Sequence, residues 1–271
     1  MKTNEEIAKL AMDNRKRIIK MIYYSKAGHP GGSLSVIDIM TAIYELDVDL
    51  KCEKRTRVVL SKGHAVPAQY AVLNEKGYIT DAEMKTFRTI NSRLQGHPHI
   101  VDVPQVDATT GLLGQGLSLA VGMAIAKKRD NDLHRVYAII GDGEMAEGQI
   151  WEALMEAPHF KLDNLIMILD YNKLSSSGPV NETMNLEPVA DKLKAFNWDV
   201  HVIDGNNMKD ITEVINIARK GTGKPIAIVA NTIKGKCVSF MENNPKWHSS
   251  ALTDEEYAIA MRDIDAAKEA I

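Results

Sequence analysis

The sequence predicts an α/β fold with a mostly parallel sheet flanked by helices. Strand-like apolar runs alternate with helical patterns along the chain, and this alternation is typical of a parallel sheet that is covered on both faces. The predicted strands are Val58–Ser61, Val136–Ile140, Leu165–Asp170, Asp199–Ile203 and Ile226–Ala230. The predicted helices cover residues 5–26, 35–46, 64–76, 116–129, 145–158 and 208–219.

A final helix is predicted after residue 253, where Thr253 and Glu256 have the spacing of a capping box. Residues 90–110 and 172–190 are predicted to be long loops, and long loops in a compact domain are often functional. The chain has 271 residues, of which 45% are hydrophobic, so it can bury a substantial core. We therefore expect residues 1–271 to form a single domain.

Composition argues against several classes of function. The net charge of -3 gives no reason to expect a nucleic-acid partner. No apolar run reaches the roughly 18 residues that suggest a membrane span, and the N-terminus has no hydrophobic signal-peptide segment. Two cysteines are too few for a disulfide framework or a cysteine metal site. A cytoplasmic location without membrane attachment is the simplest expectation.

The most informative segment is residues 136–172, which predicts a strand, a glycine turn, a helix and a second strand. The first strand ends in Gly141-Asp142-Gly143, and the second ends in Asp170-Tyr171-Asn172. In a right-handed parallel crossover both ends lie at the same edge of the sheet, where open α/β sheets bind their ligands. The pattern therefore predicts a carboxylate and an amide at a ligand-binding edge.

Three interpretations of this segment remain open. Residues 141–146 fit the dinucleotide fingerprint G-x-G-x-x-G/A, with Asp170 as the following acidic residue. Asp142 would then face a pyrophosphate, and two anions repel unless a cation lies between them. Asp142 and Asn172 could instead hold Mg²⁺ together with a diphosphate. An ordinary strand–helix turn would need no ligand at all.

Three histidines lie beside glycines in turn-like settings. They occur in Gly28-His29-Pro30-Gly31-Gly32-Ser33, in Ser61-Lys62-Gly63-His64-Ala65 and in Gly96-His97-Pro98. Glycine allows the backbone to approach a ligand closely, so this repeated pairing indicates a binding site. A glycine-rich loop, residues 109–116, leads into a predicted helix but does not match a phosphate-binding loop.

Taken together, these motifs resemble the thiamine-diphosphate-binding half of transketolase, and most closely the N-terminal chain of split bacterial and archaeal transketolases. The resemblance extends from about Leu10 to about Ser249 and implies the thiamine-diphosphate-binding fold. It assigns Mg²⁺ (with Ca²⁺ or Mn²⁺ as substitutes) to Asp142, Asn172 and the Leu174 carbonyl. It assigns thiamine diphosphate to His64, Gly111, Leu112, Leu113, Asp142, Gly143, Glu147, Asn172 and His248. It makes His29, His97 and His248 the catalytic histidines.

The resemblance also implies that Glu147 belongs to a proton-linked network between two active sites. Some positions depart from the family pattern: Ser249 and Cys237 stand where Gly is usual, and Leu112 stands where Ser or Pro is common. The segment Ser175–Gly178 is also unusual for the family. These departures concern the substrate and the position of His248 rather than the cofactor.

The implied activity is transfer of a two-carbon ketol unit from a sugar phosphate or a sulfonated sugar to an aldose. A C-terminal transketolase subunit, the aminopyrimidine-binding half, would complete the enzyme as an α2β2 assembly and supply most groups that hold the distal anion. The alternatives are a 1-deoxyxylulose-phosphate synthase-like or α-keto-acid dehydrogenase-like subunit, an NAD-dependent oxidoreductase, and a non-catalytic regulatory subunit that keeps a cofactor pocket.

Overall fold

The computed structural model describes residues 2–271 and contains one sheet of five parallel strands. The strand order is β1-β2-β3-β5-β4, with every neighbouring pair parallel. All five strands predicted from the sequence are present, and each boundary lies within one residue of its expected position. The strands are β1 (Arg57–Leu60), β2 (Val136–Gly141), β3 (Leu165–Tyr171), β4 (Asp199–Asp204) and β5 (Ile226–Asn231).

The helices agree with the predicted pattern except at a few places. Helix α2 begins at Pro30, whose fixed φ suits the first turn of a helix, so Pro30–Ser33 is helical and not the turn expected there. Three short 3-10 helices cover Gly63–Ala65, Gly143–Ala146 and Pro245–His248. The α-helices are α1 (Asn4–Ser25), α2 (Pro30–Leu46), α3 (Val66–Glu75), α4 (Asp81–Met84), α5 (Gln115–Arg129), α6 (Gly148–His159), α7 (Val180–Thr183), α8 (Val189–Ala195), α9 (Met208–Lys220) and α10 (Asp254–Glu269).

The sheet separates two apolar cores. Alternate residues of each central strand point to opposite faces, so Ile139 and Ile168 join one core while Ala138 and Met167 join the other. Helices α1, α2, α3, α9 and α10 cover the first face, and α5, α6 and α8 cover the second. Because both faces are covered, the central strands are apolar throughout, and functional side chains are confined to the strand ends and loops.

The two predicted long loops differ in the structure. Residues 90–110, all of them described, contain no helix or strand, as predicted. Residues 172–190 contain α7, the start of α8 and a bridge between Leu174 and Pro179. No helix described between residues 2 and 271 combines the length and the apolar character needed to cross a bilayer.

Candidate active site

A cavity of about 490 Å³ opens at the carboxyl edge of the sheet. The parallel register pairs Gly141 with Asp170 and Tyr171 with Asn231, so the segments that follow β2, β3 and β5 begin side by side. The turn after β1 contributes Lys62 and His64 to the same cavity. This placement follows the general rule that ligands bind outside the carboxyl ends of strands in open α/β sheets.

Hard oxygen donors follow β2 and β3. Asp142 is 3% exposed, and its two carboxylate oxygens accept the Gly143 N–H at 2.7 Å and the Lys173 N–H at 2.5 Å. The side-chain oxygen of Asn172 accepts the Leu174 N–H at 3.1 Å. These backbone hydrogen bonds fix both side chains at the cavity wall, which Gly143 and Leu174 also line.

The donor set suits a divalent cation that also binds phosphate. Burial, and next the charge of Asp170, raises the pKa of Asp142, so a nearby cation would stabilise its ionised form. Within residues 2–271, no group of three or more His, Cys, Asp or Glu side chains is arranged to hold a metal. One carboxylate, one amide and one carbonyl are instead the kind of sparse oxygen set with which Mg²⁺ combines phosphate ligands.

Three histidines meet in the same cavity. The ring centroids of His29, His64 and His248 are 5.1–5.5 Å apart. Burial, and next the charge of Arg88, lowers the pKa of His29 to about 4. Burial, and next the charge of Lys234, lowers the pKa of His248 to about 4, and the pKa of His64 is also lowered by burial. The three imidazoles are therefore neutral at pH 7.

His97 lies outside this cavity, in the adjoining wall. It lines a neighbouring cavity, and its ring packs against Gly111, where a Cβ would come within 2.9 Å of the ring. Gly111 has a φ of +144°, so this position requires glycine both for its backbone and for the close approach of His97. Gly111 and Leu113 line the main cavity.

Two other predicted residues also lie away from the cavity lining. Leu112 is 72% exposed, and Glu147 is exposed at the start of α6. Their assigned roles, contact with the cofactor and the proton-linked network, stay predictions.

Residues 6–267 match the family described as "Transketolase, thiamine diphosphate binding domain". The chain belongs to the transketolase family. It is 43% identical over 257 residues to a subunit of an apulose-4-phosphate transketolase from Phocaeicola vulgatus, covering 93% of this chain and 91% of that one. It is 41% identical over 256 residues to a 6-deoxy-6-sulfo-D-fructose transketolase subunit from a Clostridium species, covering 93% of each chain.

The solved transketolase from Campylobacter jejuni superposes with a TM-score of 0.90 at 33% identity. The alignment covers 98% of this chain and 43% of the Campylobacter chain. The predicted thiamine-diphosphate-binding fold is thereby confirmed. The chain is a transketolase-type, thiamine-diphosphate-binding subunit like those of the split enzymes.

The transketolase-type site contains a buried ion pair that the sequence analysis missed. Asp170 is 0% exposed and pairs with Lys62, whose ammonium also donates to the Gly32 carbonyl at 3.0 Å. The hydroxyls of Ser35 and Thr232 donate to the two oxygens of the same carboxylate. Asp170 is thus fully engaged and cannot bind a ribose, which argues against the dinucleotide interpretation.

A buried lysine, Lys234, supports the cavity wall. The Lys234 ammonium donates to the carbonyls of Leu174 (2.8 Å) and Ser175 (3.2 Å) and lies 3.1 Å from Nδ1 of His248. Burial, and next the charge of Lys62, lowers the pKa of Lys234 to about 8. Its position in Thr232-Ile233-Lys234, directly after a predicted strand, was the signal that could have identified it.

Glu144 connects the loop 111–114 to the segments that follow β1 and β2. Its carboxylate accepts the N–H groups of Gly114 (2.9 Å) and Gly141 (3.1 Å) and the Ser61 hydroxyl. This buried carboxylate therefore fixes the end of the 111–114 loop to the ends of β1 and β2.

The unusual segment Ser175–Gly178 also belongs to the site. Ser175, Ser176 and Ser177 line the cavity, and Ser175 closes a tight turn through a 2.9 Å hydrogen bond from its N–H to the Gly178 carbonyl. Small hydroxyl side chains thus form one side of the cavity mouth.

Proposed function

We propose that this chain is the diphosphate-binding subunit of a Mg²⁺-dependent transketolase. It would transfer a two-carbon ketol unit from an anionic ketose to an aldose, with residues 1–271 acting as one cofactor-binding domain. The observation that carries the proposal is the convergence in one cavity of the Asp142, Asn172 and Leu174 oxygens with the neutral imidazoles of His29 and His248.

The cofactor fits the charges of this cavity. Asp142 and Asn172, with the Leu174 carbonyl, would hold Mg²⁺, and Ca²⁺ or Mn²⁺ could substitute because they also prefer oxygen ligands. The Lys234 ammonium, whose acceptors are backbone carbonyls, would offset part of the remaining diphosphate charge, whereas the charge of Lys62 is already balanced by Asp170. Bound thiamine diphosphate supplies the nucleophilic carbon and the electron sink of the reaction.

The histidines supply hydrogen bonding and proton transfer. A neutral imidazole can donate from one nitrogen and accept at the other, so it can bind a sugar hydroxyl and receive its proton. Nδ1 of His29 is buried and has no hydrogen-bond partner within residues 2–271. We assign His29 and His248 to the substrate side of the cavity, and His97 to its adjoining wall.

An Asp142→Ala variant tests the metal assignment directly. Removing one partner from a desolvated charged site costs about 3–5 kcal/mol of binding free energy. The affinity for thiamine diphosphate should therefore fall on the order of 100-fold or more. The measurement is calorimetric titration of the assembled enzyme with cofactor and Mg²⁺. Asp191→Ala, which removes an exposed carboxylate in α8, is the control. Normal affinity in Asp142→Ala would exclude this metal site.

The substrate is proposed to be a ketose phosphate or a sulfonated ketose. The two relatives named above are called transketolases of a sugar phosphate and of a sulfonated sugar, and both substrates are anionic. A turnover screen of phosphorylated and sulfonated ketoses against pyruvate distinguishes transketolase from a 1-deoxyxylulose-phosphate synthase-like or α-keto-acid dehydrogenase-like enzyme. Activity restricted to pyruvate or to uncharged sugars would contradict the proposal.

A partner subunit is proposed to complete the site. The two relatives named above are themselves called subunits of their transketolases, and we infer a C-terminal transketolase subunit that binds the aminopyrimidine half of the cofactor, in a cytoplasmic α2β2 enzyme. The isolated chain should show no ketol transfer with saturating Mg²⁺ and cofactor, and turnover should appear when the partner is added. Robust turnover by the isolated chain would refute this assembly. Failure of every partner to restore turnover would favour a regulatory subunit.

A further inference from the structure

Lys234 and His248 are held against each other in the wall of the main cavity. Lys234 is 1% exposed, and its Nζ lies 3.1 Å from Nδ1 of His248. Gly31 packs against both segments, because a Cβ there would come within 2.9 Å of Lys234 Cγ and within 2.7 Å of the Trp247 carbonyl oxygen. The Gly31 carbonyl also accepts the Gly235 N–H at 3.0 Å. Close packing therefore fixes the contact between the two side chains.

Only one of the two groups can be the donor in this contact. An ammonium group has three N–H donors and no acceptor. Two donors of Lys234 go to the carbonyls of Leu174 and Ser175, and Nδ1 of His248 is the third neighbour. A proton on Nδ1 would set two N–H groups head to head at 3.1 Å. Nδ1 therefore accepts from Lys234 and carries no proton.

The ring proton of His248 must then be on Nε2. The imidazole is neutral at pH 7, because burial, and next the charge of Lys234, lowers its pKa to about 4. A neutral imidazole carries one ring proton, and the hydrogen bond made by one nitrogen decides which nitrogen holds it. Nε2 makes no hydrogen bond within residues 2–271 and is not sealed from solvent, and the ring lines the main cavity. His248 thus brings an N–H donor to this cavity.

The neighbouring imidazole of His29 is not constrained in this way. Its Nδ1 is buried and has no hydrogen-bond partner among residues 2–271, so no described contact at this nitrogen selects a tautomer. Either ring nitrogen of His29 can therefore carry the proton. The two histidines are chemically different, although burial lowers the pKa of both.

We propose that Lys234 is a positioning residue that holds His248 as the Nε2–H tautomer, so that His248 donates a hydrogen bond to the substrate and does not remove its proton. The inference rests on the proposed ketol-transfer function and gives one of its histidines a direction. Neutral His248 has no free acceptor nitrogen, so the partner that suits it is a carbonyl or hydroxyl oxygen of the sugar. Proton removal then belongs to another group, and the tautomer of His29 is free for that role.

Nitrogen NMR of the full chain with isotope-labelled histidine tests the tautomer directly. Protonated and unprotonated ring nitrogens resonate in separate regions, and the His248 signals are assigned by their loss in His248→Gln. At pH 7 the wild-type chain should show an unprotonated Nδ1 and a protonated Nε2. Lys234→Met keeps an unbranched side chain and removes the donors, so it should show a mixture of both tautomers. A protonated Nδ1 in wild type, or identical spectra for the two chains, would overturn the proposal.

Lys236→Met is the matched control for this measurement. Lys236 lies two residues further along the same loop, and its Nζ is 3.5 Å from Glu242 rather than beside the histidine. The control should leave the His248 signals unchanged. A change as large as that in Lys234→Met would mean that the tautomer responds to charge in general, and the assignment to Lys234 would fail.

Amide replacements of His248 test the donor role in the assembled enzyme. A glutamine amide can reach the place of Nε2, whereas an asparagine amide reaches only the place of Nδ1. Loss of a donor to an oxygen that develops negative charge lowers kcat about 10²–10³-fold, so His248→Asn should show a loss of this order at saturating cofactor. His248→Gln should recover most of it. Equal losses in the two variants would contradict the donor role.

A double-mutant cycle separates positioning from the effect of the lysine charge on the diphosphate. Any part of the loss in Lys234→Met that passes through the His248 ring is absent when residue 248 is glutamine, which has no Nδ1. Lys234→Met should therefore lower kcat at saturating cofactor by a smaller factor in the His248→Gln background than in wild type. An equal factor in both backgrounds would mean that Lys234 does not act through His248.

The NMR result also distinguishes this inference from the proposed function, because it needs neither partner nor turnover. If the Nε2–H tautomer depends on Lys234 but the assembled enzyme lacks ketol transfer, the proposed function fails and the positioning by Lys234 stands. If ketol transfer is observed but Nδ1 of His248 is protonated, the positioning inference alone is refuted.

Discussion

Two walls of the site differ in how completely their polar groups are paired. The strand-end wall consists of the segments that follow β1, β2 and β3, and the loop wall consists of the loop between α4 and α5. At the strand ends, Lys62 and Asp170 are buried and bonded to each other, and Asp142 accepts two backbone N–H groups. In the loop between α4 and α5, Arg88 has no partner among the described residues and Leu112 is 72% exposed. The sheet thus holds the polar groups at its strand ends in place, whereas Arg88 and Leu112 in the loop are exposed and have no such fixed partners among the described residues.

Among the variants that test this difference, the alanine substitutions of His29, His97 and His248 should have the largest effect, which is a loss of turnover. His29 and His248 lie in the main cavity, and His97 lies in the adjoining loop. General acid–base groups contribute about 10²–10⁴-fold to rate, so each variant should lower turnover by that order and change cofactor affinity much less. The measurements are steady-state turnover and calorimetry on the assembled enzyme.

His159→Ala, on the outer part of α6, is the matched control and should keep wild-type turnover. A smaller loss of turnover in His97→Ala than in His29→Ala and His248→Ala would sharpen the distinction between the two walls. Near wild-type turnover in all three variants would mean that these histidines are structural.

Loss of the Asp170 carboxylate should have the next largest effect, on stability. Asp170→Ala leaves the Lys62 ammonium buried without its counter-charge, and breaking a buried ion pair in this way costs about 3–5 kcal/mol. Urea unfolding of the isolated chain measures this loss. Lys194→Ala breaks an exposed pair and should change the free energy of unfolding by about 1 kcal/mol or less. Equal effects in both variants would show that the strand-end wall is not specially preorganised.

The same comparison explains what could be predicted from the sequence. The strands and the pair Asp142 and Asn172 were predictable, because strand periodicity is local and parallel strands end at a common edge. The Lys62–Asp170 pair joins residues 108 positions apart in the chain, and no local pattern encodes such a contact. The start of α2 was missed because Pro-Gly-Gly is typical of turns, and burial of residues 30–33 overrides that propensity here.

The loop wall was the least predictable part of the site. The glycine beside His97 correctly indicated a close approach, but the group that approaches Gly96 is the Arg88 side chain of the chain itself, while the His97 ring packs against Gly111. The unpaired Arg88 guanidinium has no sequence signature, because its position depends on a left-handed φ and because Asp102, the carboxylate lining the same cavity, pairs with His99. Irregular loops lack the periodicity from which side-chain direction can be inferred.

The smallest expected effect concerns the pH dependence of stability. The pKa of His29 and of His248 is about 4 in the folded chain, below the ordinary value of 6.5. Between pH 6.5 and 4 the unfolded chain therefore binds more protons at these residues than the folded chain, and their contribution to stability falls as the pH is lowered through this window. Asn cannot titrate, so His29→Asn and His248→Asn should each show a shallower loss of unfolding free energy from pH 7 to pH 4 than wild type. His159→Asn, an exposed position, should reproduce the wild-type slope. The test is urea unfolding of the isolated chain across this range. A wild-type slope in both cavity variants would mean that these imidazoles are as well solvated as surface histidines, and that the main cavity is more open to water than the burial of these residues implies.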